Sequence, residues 1–263
     1  MQSIQQGFML GLGLSFESTV EWATDVGYEF VEVLLDGPYA RERMKNLETK
    51  RHILDQTGVG VVIHLPFAAD IGSPFTPVRQ GAIEECRRGM DLAATLGADR
   101  VVFHPSSDAW SAGWEAADCL PFIHESVGEL IDAAHERDLT PCLENIISGY
   151  YDVHAFPELL DRFPRAQMTF DTSHALLAGM DEPAMAAFIK RHAERIGHLH
   201  LVDTRGEDDE HLPVGMGSIA FETILDGIRR ANWHGTATHE VGTENKATIA
   251  LSKRNLDSLQ GAL

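Results

Sequence analysis

The sequence predicts a closed (β/α)8 barrel of the TIM type, with residues 1–263 forming a single domain. Three observations predict it. Short β-type runs alternate with helical stretches eight times along the chain, a pattern that calls for parallel strands joined by crossover helices. The length of 263 residues matches the ~250 that eight such units occupy. No GxGxxG follows a strand to favour an open doubly wound sheet, and GLGLSF at 11–16 only imitates a glycine-rich phosphate loop.

FMLGLGL (8–14) reads as the first strand, and the helix after it sets Val20, Trp22, Ala23 and Val26 at helical spacing before Gly27 stops it. FVEVLL (30–35) is the second strand, with a helix over 40–56. VGVVIH (59–64) is the third, with a helix over 78–96, and RVVFH (100–104) the fourth, with a helix over 114–137. TPCLEN (140–145) is the fifth, followed by a short helix over 155–163. QMTFD (167–171) and HLHLV (198–202) come next, with helices over 182–196 and 220–231. TATHEV (236–241) closes the set with a helix over 247–259.

Composition narrows the function classes. With 44% apolar residues the chain is globular. No run of ~18 apolar residues is present, so no membrane span is expected. The first residues lack a basic n-region, so no signal peptide is expected and a cytoplasmic location follows. Cys86, Cys119 and Cys142 are scattered, which fits a reduced compartment and buried small apolar side chains. The net charge is −19 and only five residues are lysines. That balance resembles the acid-rich, lysine-poor proteins of salt-loving microbes. An acidic surface repels nucleic acid at low salt, which disfavours a nucleic-acid partner, although high salt screens the repulsion.

In a (β/α)8 barrel the active site lies at the C-terminal strand ends. Those ends are rich in metal ligands. The third strand ends in His64, the fourth in His104, the fifth in Glu144 and the sixth in Asp171, with His174 following. The seventh carries His200 and leads to Asp209 and His211, and the eighth ends in Glu240. Each alone has an ordinary explanation. A lone His can be a hydrogen-bonded structural residue, Asp171 can cap the next helix, and the acids of HLHLVDTRGEDDEHLPVGMG (198–217) can be a solvated loop. Together they place an imidazole or carboxylate on six successive strands at one rim. Without a cation such carboxylates would crowd one another at high cost. A ligand set of imidazole and carboxylate without thiolate suits Zn, Mn or Fe(II), and nine ligands accommodate one to three ions.

These residues resemble those of the xylose isomerase-like barrel superfamily, which includes endonuclease IV and the sugar phosphate isomerases and epimerases. FDTSHALLAGMD and the span from His200 through DEHLPVGMG carry the likeness most specifically. By the endonuclease IV likeness, His64 and His104 would bind a first ion with Glu144 bridging to a second. Asp171, His200 and Glu240 would complete the second, and His174, Asp209 and His211 would bind a third. His198 is read as structural, and Glu207, Asp208 and Glu210 as solvated.

The isomerase and epimerase branch implies one divalent ion on Glu144, Asp171, His200 and Glu240. Glu144 and Glu240 would then act as acid and base, with His174 assisting and Arg205 contacting the substrate. The reading preferred from sequence is a metal-dependent isomerase or epimerase of a small sugar or sugar phosphate. The alternative is a multi-zinc phosphodiesterase of the AP endonuclease type. Against the alternative stand FMLGLGLSF at the N-terminus, where that family has a different motif, and LPFAADIGSPF after the third strand, read as lacking a DNA-prying wedge.

Overall fold

The computed structural model describes residues 4–262 apart from 12, 38–44, 108–111 and 148–149. Eight parallel strands close into a barrel in chain order, the last hydrogen-bonded to the first. They are β1 (Gln5–Leu10), β2 (Phe30–Leu34), β3 (Gly60–His64), β4 (Arg100–Phe103), β5 (Thr140–Glu144), β6 (Gln167–Asp171), β7 (Ile196–Leu201) and β8 (Thr236–His239). Around them lie α1 (Phe16–Val26), α2 (Leu47–Thr57), α3 (Thr76–Leu96), α4 (Ala116–His135) and α5 (Phe156–Arg162). The second half adds α6 (Thr172–Leu177), α7 (Glu182–His192), α8 (Phe221–Arg230) and α9 (Lys246–Ala262). This is the barrel that the alternation predicts. Among the described residues no helix is long and apolar enough to cross a membrane. The three cysteines are free and buried.

Three boundaries differ from the sequence reading. β1 begins at Gln5 and ends at Leu10 rather than running over 8–14. Glutamines look wrong for a buried strand, but Gln6 is satisfied inside the wall: its amide donates to Asp257 Oδ1 (2.8 Å) and its carbonyl accepts from His239 Nε2 (3.0 Å). After β6 the chain forms α6 at once, and α7 comes later and ends at His192. Two carboxylates start these helices, Asp171 accepting from His174 N and Asp181 from Ala184 N. The helix expected over 40–56 is described only as α2, and residues 40–44 lie outside the described residues. Gly27, the stop expected for α1, sits at φ +82°, a left-handed conformation that glycine adopts without strain.

The main apolar core fills the space between barrel wall and helices, and includes the fully buried Phe8, Phe156, Phe170 and Phe221. Burying such side chains contributes about 1.5–3 kcal/mol each. The barrel interior is layered, because inward positions recur every second residue. Its lower layer is apolar on one side, where Phe30, Val62, Val102 and Cys142 pack together. Glu32 stands level with Val62, its register partner, and belongs to this lower layer, whereas His64, His104 and Glu144 stand one step higher, toward the mouth. The Phe30 ring fills the space beside β1, and a Cβ on Gly7 would lie 2.3 Å from it, so this wall position needs glycine. Arg100 crosses the floor, its guanidinium donating to Thr236 Oγ1 (2.9 Å) and to Gly197 O.

Candidate metal centre

At the mouth of the barrel four side chains converge. Glu144 ends β5, Asp171 ends β6, His200 lies in β7 and Glu240 follows β8. Asp171 and His200 are register partners, which sets them side by side. One ligand atom from each of the four lies within 4.8 Å of the others. His200 Nδ1 is the hub: Glu240 Oε2 is 3.0 Å away, Glu144 Oε1 3.1 Å and Asp171 Oδ2 3.9 Å. Asp171 takes the capping part that its sequence context allowed and leaves its second oxygen over. Its Oδ1 caps α6 by accepting from His174 N (2.7 Å), while its Oδ2 is buried without a hydrogen-bond partner. An orphaned buried carboxylate oxygen is rare in native proteins, and here it faces the hub. It fits a divalent cation held by these four residues.

Electrostatics support the same fit. Burial pushes the Asp171 carboxyl up to about 6, with Glu144 and Glu240 adding to the effect against the pull of His174 and His200. Burial opposes charge on Glu144 too, but His200 and His104 outweigh it and hold its carboxyl well below the usual range. Burial disfavours imidazolium at His200, yet Glu144, Glu32 and Glu240 raise it well above its ordinary value. Without a cation this proton is what balances the carboxylates.

Two further sets flank the hub. His64 Nε2 and His104 Nε2 approach Glu144 Oε2 at 3.2 and 3.3 Å. On the other side Asp209 Oδ2 lies 3.2 Å from His174 Nε2 and 3.0 Å from His211 Nε2. The structure therefore brings together all nine residues singled out at the strand ends. His64 Nδ1–H donates to Leu65 O (2.9 Å) and His174 Nδ1–H to Asn145 O (2.8 Å), so both turn Nε2 toward the carboxylates. Arg205 is not brought to them: its guanidinium is 64% exposed and pairs with Glu210. Glu210 is accordingly a half-buried partner of Arg205 rather than a free solvated acid, whereas Glu207 and Asp208 are exposed. The loop after β3 does present aromatic rings, since Phe67 (53% exposed) and Phe75 (63% exposed) project from it, and Phe67 stacks on His104.

Two important acids escaped the sequence reading. Asp203 is buried and its carboxylate accepts from the backbone N–H of Thr204, Gly215, Gly217 and Ile219 (2.8–3.1 Å). It ties down the loop that carries Asp209 and His211. Glu32, in β2, lies below the hub with no exposure, and contacts His198 and His200. Its signal was a carboxylate two positions after Phe30 on a strand buried on both faces.

A closed (β/α)8 barrel whose mouth gathers imidazoles and carboxylates able to hold a divalent cation is the class that fold and site define. The chain belongs to the xylose isomerase-like TIM barrel family, whose model matches residues 20–261. It is 26% identical over 245 residues to an uncharacterized protein of Methanocaldococcus jannaschii, covering 88% of this chain and 80% of that one. Among solved structures it is similar to a D-tagatose 3-epimerase-like protein (TM-score 0.83, 24% identity, 98% of each chain). It is also similar to endonuclease IV from Thermus thermophilus (TM-score 0.76, 20% identity, 98% of this chain and 100% of that one). Proteins named as sugar epimerases and as endonuclease IV thus share its fold.

Proposed function

We propose that this protein is a divalent-metal-dependent isomerase or epimerase of a small sugar or sugar phosphate, acting by proton transfer beside a carbonyl. The observation that carries the reading is the difference in saturation between the hub and its flanks. The imidazoles of His64, His174 and His211 are hydrogen-bonded to protein acceptors, whereas Asp171 Oδ2 at the hub has none. That supports one ion, held by Glu144, Asp171, His200 and Glu240. When bound, a Zn or Mn ion would polarise a substrate carbonyl and its neighbouring hydroxyl, acidifying the C–H between them.

The chain's own groups would move the proton. Glu144 and Glu240 stand three strands apart in the ring, so they approach a substrate in the mouth from two sides. One carboxylate accepts the proton from the carbon beside the carbonyl. The other carboxyl, in its acid form, returns a proton to that carbon from the other side, inverting it. Each such group typically contributes about 10²–10⁴ in rate. His174, 3.5 Å from Glu144 Oε1, would assist by stabilising the charge on that carboxylate.

A second reading has its own observations. The ligand group His64, His104 and Glu144, the contacts of Asp209 with His174 and His211, and the exposed Phe67 and Phe75 favour a multi-zinc phosphodiesterase, in which several ions hold both oxygens of the displaced phosphate. One experiment separates the two. The metal-loaded protein is incubated in D2O with a panel of ketoses and their phosphates, and with an abasic-site duplex in high salt. Deuterium entering the carbon beside a carbonyl, with one ion per chain, is the expected result. No exchange with any sugar, together with duplex cleavage and three ions per chain, overturns the isomerase reading in favour of the nuclease.

A further inference from the structure

Glu32 is a buried charge that the proposed chemistry leaves unused. Its carboxylate accepts from Thr238 Oγ1 (2.5 Å), from His198 Nε2 (3.0 Å), and from His200 Nε2, which lies 3.2 Å from Oε1 and 3.3 Å from Oε2. The donor directions follow from chemistry. A guanidinium only donates, so Thr236 Oγ1 is the acceptor for Arg100 (2.9 Å), and its own hydrogen is free to point at His198 Nδ1, 2.6 Å away. His198 then donates from Nε2. A directed chain of hydrogen bonds thus runs from Arg100 at the barrel floor through Thr236 and His198 to Glu32.

We infer that Glu32 is the positioning residue that fixes which nitrogen of His200 faces the cation: by holding the Nε2–H, it presents Nδ1 to Glu144, Asp171 and Glu240. The inference rests on the cation reading of the hub but not on which reaction the hub performs. His64 and His174 are oriented by neutral carbonyls. A carboxylate partner makes a stronger, charge-assisted bond and raises the basicity of the ligating nitrogen. Glu32, His198 and His200 also have ligand atoms within 4.8 Å of one another, so they form a rival ion site. Their saturation argues against it, since no polar atom of the three is orphaned whereas Asp171 Oδ2 is.

The test is zinc titration calorimetry on the full chain, with long-range proton–nitrogen NMR of the histidine rings in the zinc-loaded state. Wild type should show His200 bound through Nδ1 and carrying a slowly exchanging Nε2 proton. Glu32→Gln turns an amide N–H toward a surrounding of donors. It should weaken zinc binding about 10–100-fold and expose the His200 Nε2 proton to exchange, while Glu32→Asp recovers part of both. Melting curves verify folding, and where Glu32→Gln does not fold, Glu32→Asp carries the test through its weaker binding and faster exchange. Wild-type affinity and an unchanged His200 signature in the folded variant overturn the inference. So does zinc bound to Nε2 of both His198 and His200, which would make Glu32 a ligand. Failure of wild type to take up any divalent cation overturns the cation reading itself.

Discussion

Two layers of the barrel interior are built from the same residue types and are both largely buried, with Glu240 alone of their acids partly exposed, yet they end in opposite states. In the lower layer one carboxylate, Glu32, receives three donors and nothing is left over. In the upper layer Glu144, Asp171 and Glu240 share one imidazole nitrogen, and Asp171 Oδ2 is left with no partner. His200 belongs to both, one ring nitrogen in each. The difference teaches that burial and residue type do not mark a ligand site. What sets the upper layer apart is an unsaturated carboxylate among like charges: a buried polar group without a partner costs about 1–3 kcal/mol, and a cation would supply the partner that Asp171 Oδ2 lacks.

The largest expected effect is on chemistry in the upper layer. Glu144→Gln and Glu240→Gln should each lower deuterium exchange into the substrate by about 10²–10⁴. Metal content measured in the same samples separates lost proton transfer from lost ion. Retained exchange in both variants would remove the upper layer from the reaction.

Asp171→Asn should act on the ion first. The Oδ1 cap on α6 can survive, but the charge on the orphaned oxygen is gone. Zinc affinity should fall by more than the ~10–100-fold expected for a residue outside the ligand shell, such as Glu32. Equal losses in the two variants would erase the distinction between the layers.

The sequence made the upper layer legible and hid the lower one. Ligand-type residues at strand ends could be placed on one rim because the alternation already implied a barrel, and the barrel assigns its mouth to those ends. Glu32 sits inside FVEVLL, an apolar run that reads as wall. Only the period-two geometry, which turns Phe30 and Glu32 inward together, reveals it as interior. Asp203 was lost among the acids of its loop, since composition does not tell a carboxylate accepting four backbone N–H bonds from a solvated one. Six-residue α6 was hidden because its N-cap, Asp171, had already been read as a strand end.

The upper layer should also respond to pH in a way that depends on the ion. In the metal-free protein burial disfavours imidazolium, but Asp171, Asp209 and Glu144 push His174 up to about 10, and Asp209 and Glu240 push His211 up to about 9. Folded values above the unfolded ~6.5 mean that stability is fully present below about pH 6.5 and is lost as pH rises through about 9–10. The melting temperature of chelated protein should therefore fall from about pH 7 to about pH 10. Zinc at the hub would instead take the place of the proton on His200, where burial disfavours imidazolium but Glu144, Glu32 and Glu240 raise it well above its ordinary value, so ion affinity rises with pH. The gap between loaded and chelated melts should widen over the same window, and a gap that narrows would count against imidazole ligation.

The smallest effect is expected in the lower layer. Thr238→Val removes one of the donors to Glu32 and should cost about 1–2 kcal/mol in denaturant unfolding, with ion stoichiometry unchanged. Loss of an ion in this variant would mean that the lower layer holds one.

The most direct test of the contrast is anomalous scattering at the metal edge from zinc- or manganese-soaked crystals of the full chain. A peak within about 2.0–2.2 Å of His200 Nδ1 and Asp171 Oδ2, with none among Glu32, His198 and His200 Nε2, is the result predicted by an unsaturated upper layer and a saturated lower one. A peak on the Nε2 side of His200, or no peak at Asp171 Oδ2, would contradict it.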